Sequence, residues 1–208
     1  MALIWALNSS LLAPTGETRI LAHRGVHQTH STVPRDGSAS TAQFMDAPTH
    51  GFIENTIPSM QAAVAAVAAG AQVIELDVHL TPDNVFAVFH DWTLDCRING
   101  QGVTEKTPFD TLRGLDIGHG YTADGSTYPL RGQGIGLMPS LRAVLVADLG
   151  AQYLVNFKSK RADEGLVLAK MLETPAYARQ IWGVYGGSVP THTAINAAPD
   201  LRGTFAHR

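Results

Sequence analysis

The chain has 208 residues and 45% hydrophobic content, enough to bury a sizeable core and most economically read as one soluble globular domain. Its formal net charge of −3, with no basic run longer than Lys158-Ser-Lys-Arg161, argues against a nucleic-acid or anionic-membrane surface. The single cysteine, Cys96, excludes an internal disulfide and a cysteine-rich zinc site and is compatible with a reducing compartment.

The N-terminal stretch from Met1 to Pro14 is apolar, but no Lys or Arg precedes its hydrophobic part and no apolar run reaches spanning length. It reads as an arm over residues 1–19 packed on the domain, not a secretion signal, and a cytoplasmic location is the expectation. The run Ile20-Leu-Ala-His-Arg-Gly25 then places His23 and Arg24 at the end of a short strand. A polar stretch from His27 to Phe52 follows, too long for a simple connection and read as an excursion over the site. Pro58 fits the first turn of a helix whose body runs from Ser59 to Ala69 and whose end falls at Gly70.

The second strand is expected over residues 72–80 and the third over 85–90. The Thr-Pro-Asp-Asn turn joining them is so short that a hairpin is more natural than a strict strand–helix alternation. The glycine-rich segment 91–138 has no sustained period and reads as an insertion. Beyond it come a helix over 139–148, a strand over 152–159, a helix over 162–172, a strand over 181–185 and a weak helix over 191–198. Residues 202–208 look like the start of another strand. Alternating strands and helices of this kind feed a parallel sheet or barrel.

Five short motifs in one order, His23-Arg24-Gly25, Glu54-Asn55-Thr56, Glu75-Leu-Asp77, His90-Asp91 and Leu137-Met-Pro-Ser-Leu141, make the chain resemble the glycerophosphodiester phosphodiesterase family. The resemblance implies an α/β fold of the (β/α)8 TIM-barrel type, here with about six strands and so C-terminally incomplete. It also identifies residues 91–138 as the insertion that covers the site after strand 3, within a single domain spanning 1–208. Hydrolases of this family typically use a divalent cation.

Period-two alternation puts Glu75, Asp77 and His79 on one face of their strand. Two carboxylates at that spacing, with Glu54 reaching in from the first helix, form a hard-oxygen site suited to Ca²⁺ or Mg²⁺. The alternative is a salt-bridged polar layer inside the barrel. His23 and His90 resemble the family's general acid/base pair. The implied reaction is attack of the neighbouring glycerol hydroxyl on phosphorus, giving a cyclic phosphate that water opens, with Arg24 and the metal stabilising the non-bridging oxygens. Asn55 is either a substrate contact or a helix cap. His27, His30 and His50 read as solvated loop residues, and Trp92 as an apolar wall or a core aromatic.

The fourth strand departs from the family. Where Glu-X-Lys is common, Val155-Asn-Phe-Lys-Ser-Lys160 puts Lys158 at the third-ligand position and Lys160 at that of the family lysine, which weakens the case for a metal and makes both lysines candidate phosphate contacts: either Lys158 partly stands in for the cation's charge, or Glu54 or Asn156 supplies the missing ligand. The expected activity is hydrolysis of glycerophosphodiesters to sn-glycerol 3-phosphate and an alcohol. The alternatives are a lysophospholipase D-like phosphodiesterase, a non-catalytic phosphoester-binding domain and an inert fragment. The only partner implied is the small-molecule substrate.

Overall fold

The computed structural model describes residues 19–30, 40–66 and 72–201. The expected arm up to residue 18, the Gly70 cap and the strand over 202–208 lie outside them. In chain order the elements are β1 (Leu21–His23), α1 (Ile57–Ala65), β2 (Val73–Leu80), β3 (Phe86–Val88), α2 (Phe109–Leu112), α3 (Leu141–Ala147), β4 (Gln152–Phe157), α4 (Ala162–Leu172), α5 (Pro175–Ala178), β5 (Ile181–Gly186) and α6 (Ser188–Ala197).

Strands β1, β2, β4 and β5 form a parallel sheet in that order, as expected when helices serve as the crossovers. The third strand is different. β3 pairs antiparallel with the far end of β2, Val78 opposite Val88 and Leu80 opposite Phe86. A parallel connection needs roughly a dozen residues, and Thr81 to Asn84 provide only a tight turn. The hairpin reading therefore holds: β2 carries β1 and β4 on its flanks, and β3 folds back on the part of β2 beyond the end of β1.

β2 is buried along its whole length, and its two faces have different fates. Ile74, Leu76, Val78 and Leu80 join Tyr153, Val155 and Phe157 of β4 and Leu168 and Ala194 of the covering helices in one apolar core. Each large side chain so buried contributes roughly 1.5–3 kcal/mol. Glu75, Asp77 and His79 take the opposite face, where buried ionisable groups need partners. A second apolar cluster unites the inserted segment with the polar excursion, through Leu94, Ile98, Leu112, Ile117, Tyr121 and Leu130 on one side and Ala42, Met45 and Ile53 on the other. The Thr122 amide donates to the Ala42 carbonyl at 2.9 Å. Residues 40–53 are thus fastened to the insertion beside the sheet end.

Candidate active site

β1 ends at His23 because the chain must turn there. Arg24 (φ 59°) and Gly25 (φ 77°) are both left-handed. The Arg24 amide donates to the Glu75 carbonyl at 2.9 Å, and the Val26 amide to the Ser59 carbonyl at 3.1 Å. A Cβ on Gly25 would lie 2.6 Å from Ser59 Oγ and 2.8 Å from the Ser59 carbonyl carbon. Only glycine allows the strand end to pass this close to the start of α1. The left-handed conformation of Arg24 costs roughly 1–2 kcal/mol, offset by ion pairs of its guanidinium with Glu54 Oε1 and Asp77 Oδ2, each at 3.0 Å.

Glu54-Asn55-Thr56 divides the work of a helix start. Thr56 is the cap: its Oγ1 accepts from the Ser59 amide at 3.3 Å, and Ser59 Oγ accepts from the Thr56 amide at 3.4 Å. Asn55, freed from capping, donates to Asp77 Oδ2 at 3.0 Å and accepts from the Asp77 amide at 3.3 Å. Glu54 is gripped by Arg24 and, at 3.1 Å, by Arg97.

The hairpin delivers the second histidine. The Phe89 amide donates to the Asp77 carbonyl at 3.0 Å, and the next residue, His90, holds Asp91 Oδ1 with Nδ1 at 2.6 Å. The other Asp91 oxygen accepts from Arg97 Nε and Ser40 Oγ, each at 3.0 Å. Arg97 is 1% exposed and also donates to Tyr121 Oη and Thr41 Oγ1. This insertion residue therefore joins Glu54, Asp91 and the excursion.

β4 and β5 close the other side. The register places Asp77, Asn156 and Tyr185 level on neighbouring strands. Asn156 donates to Asp77 Oδ1 at 2.9 Å, Lys158 Nζ lies 3.5 Å from the same oxygen, and Tyr185 donates to Glu75 Oε1 at 2.6 Å. The Lys158 ammonium sits 4.4 Å from the centre of the Trp92 ring, whose Nε1 donates to the Lys158 carbonyl at 2.7 Å.

Burial would raise Asp77, but Arg24, His90 and Lys158 outweigh it and hold its pKa below the usual carboxylate range. Burial would likewise raise Glu54; Arg97 and Arg24 bring it down to about 2. Glu75 goes the other way: burial and the Asp77 charge raise it to about 7, outweighing the Tyr185 hydroxyl, the Arg24 charge and Asn156. Loss of solvent and the Arg24 charge lower His23 to about 4. Burial lowers His79 to about 4 as well, and its Nε2 meets the His90 carbonyl at 3.4 Å, so this ring is a neutral support beneath the site.

The expected site residues His23, Arg24, Glu54, Asn55, Glu75, Asp77, His90 and Lys158 are brought together. His23 Nε2 is 3.7 Å from Glu75 Oε2, and both imidazoles act on the charges of Asp77 and Glu54. Lys160 is exposed and takes no part in the described contacts of the cluster. It is Asn156 that stands level with Asp77, with Lys158 two residues further along. His27 is not a free loop residue; its ring packs edge-on against His23 at 5.5 Å. Trp92 is 53% exposed, which excludes a core role. Arg97, Tyr185 and the Ser40–Thr41 contacts had no sequence signal beyond the strand register that puts Tyr185 level with Asn156.

As arranged, the three candidate ligands do not fit a divalent cation. Asn55 and Asn156 each donate to one oxygen of Asp77, and its charge is met by two cations, Arg24 Nε at 3.0 Å and Lys158 Nζ at 3.5 Å, which a divalent cation would have to displace or repel. Glu54 is engaged by two guanidiniums. Glu75 Oε2 is the carboxylate oxygen of the cluster that is buried without a hydrogen-bond partner. Among the described residues, no three His, Cys, Asp or Glu side chains are set to hold a metal ion.

A model of the glycerophosphoryl diester phosphodiesterase family matches residues 23–182. A glycerophosphodiester phosphodiesterase of Caldanaerobacter subterraneus subsp. tengcongensis is 40% identical over 65 residues, 31% of this chain and 26% of that protein. Among solved structures, a glycerophosphodiester phosphodiesterase from Agrobacterium tumefaciens superposes with a TM-score of 0.61 at 22% identity, covering 90% of this chain and 66% of the other. A phosphodiesterase from Oleispira antarctica, solved in complex with the product sn-glycerol-3-phosphate, gives 0.57 at 22% identity, covering 89% and 64%. These likenesses bear out the α/β fold of TIM-barrel type. The chain spans less than two thirds of the length of these relatives.

Proposed function

The chain belongs to the glycerophosphoryl diester phosphodiesterase family, and on that premise we propose that it hydrolyses glycerophosphodiesters to sn-glycerol 3-phosphate and an alcohol. The observation that carries the reading is the convergence of two imidazoles and two cations on one carboxylate pair: His23 beside Glu75, and His90, Arg24 and Lys158 around Asp77. A phosphodiester needs one proton removed and one supplied while charge on its free oxygens is balanced.

In this proposal His23, neutral at pH 7 with its pKa near 4, takes the proton from the glycerol hydroxyl next to the ester. That hydroxyl attacks phosphorus, and the P–O bond to the head-group alcohol breaks. His90, whose Nδ1 is held by Asp91, protonates the departing alkoxide through Nε2. In the second step water adds to the cyclic phosphate and the two rings exchange tasks, as reversibility requires. Arg24 and Lys158, 12% and 8% exposed at the side chain, are the cations nearest the reacting centre and bind the non-bridging oxygens. Members of the family generally act with a divalent cation. The charges of Asp77 and Glu54 are already met here by Arg24, Arg97 and Lys158, and the proposed steps run through the protein's own side chains.

The test is direct. Purified chain incubated with glycerophosphocholine should release glycerol 3-phosphate, read by phosphorus NMR, and should turn over lysophosphatidylcholine more slowly. Binding of glycerol 3-phosphate without turnover of either ester would leave a phosphoester-binding protein, and faster turnover of the lysolipid would make the chain a lysophospholipase D.

A further inference from the structure

The mismatch between an expected cation and the donors around Asp77 centres on one residue. Asn156 stands level with Asp77 and turns its amide nitrogen to Asp77 Oδ1 at 2.9 Å. Its own Oδ1 lies against Gly186, where a Cβ would come within 2.2 Å. Gly186 has φ 94°, so the chain at the end of β5 both turns and leaves room for the carboxamide in this orientation. Asn156 thus offers a donor where a metal site needs an acceptor.

A carboxylate at the same place would set an anionic oxygen beside an Asp77 oxygen. Two such oxygens at hydrogen-bonding range repel unless a proton or a cation lies between them, and that is the arrangement in which a hard cation binds. With asparagine there is no such need. The Asp77 charge is already met by Arg24 at 3.0 Å and Lys158 at 3.5 Å, and Trp92 holds Lys158 over the site, its ring under the ammonium and its indole N–H donating to the Lys158 carbonyl. We propose that Asn156 closes this site to divalent cations, leaving Lys158 and Arg24 to supply the positive charge toward a substrate phosphate. The second half of this statement rests on the phosphodiesterase reading; the first half does not.

The experiment measures cation binding by the full chain without substrate, so it stands or falls apart from hydrolysis. Calcium, magnesium and manganese are titrated separately by calorimetry. Terbium is titrated in parallel, its luminescence sensitised by Trp92 and Tyr185. The wild type should show no saturable binding at millimolar concentrations, whereas Asn156→Asp and Asn156→Glu should each bind at least about tenfold more tightly and gain thermal stability when calcium is added. Saturable binding by the wild type that Asp77→Asn abolishes overturns the proposal whatever the variants do. Two variants that fold, by circular dichroism, yet gain no affinity overturn the assignment to Asn156. Should one variant fail to fold, the other and the wild-type titration still decide.

Discussion

His90 Nδ1 and Asp91 Oδ1 lie 2.6 Å apart, so the ring on the loop that follows β3 is oriented by its own chain neighbour. The carboxylate is fixed in turn by Arg97 and Ser40. This arrangement leaves Nε2 for proton transfer and stabilises the imidazolium that forms when the ring takes up a proton.

Asp91→Asn keeps the shape and removes the charge. It should lower kcat by about 10²-fold or more with a much smaller change in KM, and it should change the pH profile of kcat, which a merely structural role would not do. Steady-state kinetics across pH checks this.

Arg97 is a positioning residue whose loss should show first as instability. Replacing it by Met removes one charge partner from each of two largely buried carboxylates, Glu54, which keeps Arg24, and Asp91, which keeps His90 and Ser40, at a cost of about 3 kcal/mol. Urea unfolding should show that loss, and adding Glu54→Gln to the variant should recover part of it.

Glu75 titrates in the opposite sense to its neighbours. With its pKa raised to about 7, its protonated form favours the fold. That contribution is fully present below about 4.5, the unfolded value, and is lost as pH rises through about 7. Glu54, Asp77 and Asp91 are held low, and their contribution is lost as pH falls. Relative to Glu75→Gln, the wild type should therefore lose about 1–3 kcal/mol between pH 5 and pH 8, a difference that unfolding at the two pH values measures. Tyr185→Phe, which removes the hydrogen bond that stabilises the Glu75 carboxylate, should push the titration to higher pH.

The low pKa of His23 has a kinetic consequence. If its neutral ring is the first base, the acidic limb of kcat/KM should fall near pH 4, well below the ordinary 6.5 of imidazole. A limb near 6.5 would assign the first proton transfer to another group.

Local patterns made the strands and the gathering of charged side chains at the sheet end legible. Alternation in β2 separated Glu75, Asp77 and His79 from Leu76 and Val78, and His-Arg-Gly and Glu-Asn-Thr marked the chain reversals that aim side chains at the sheet end. The Thr-Pro-Asp-Asn turn was short enough to foretell the hairpin. Partners distant in sequence were less legible. Arg97 sits in a glycine-rich segment without periodicity, and only the folded insertion brings it to Glu54, 43 positions earlier in the numbering. Which fourth-strand side chain meets Asp77 was not legible because Asn156, Lys158 and Lys160 alternate alike; pairing with β2 is what puts Asn156 level with Asp77 and leaves Lys160 exposed.

The proposed hydrolysis requires both imidazoles to serve one phosphorus atom. Release of glycerol 3-phosphate from glycerophosphocholine by His23→Ala, His90→Ala and the double variant tests this most directly. Each single change should lower kcat by about 10²-fold or more, and the double change by little beyond the larger single effect, as for residues that act as a unit. Near wild-type turnover by either single variant, with the fold intact by circular dichroism, would contradict it.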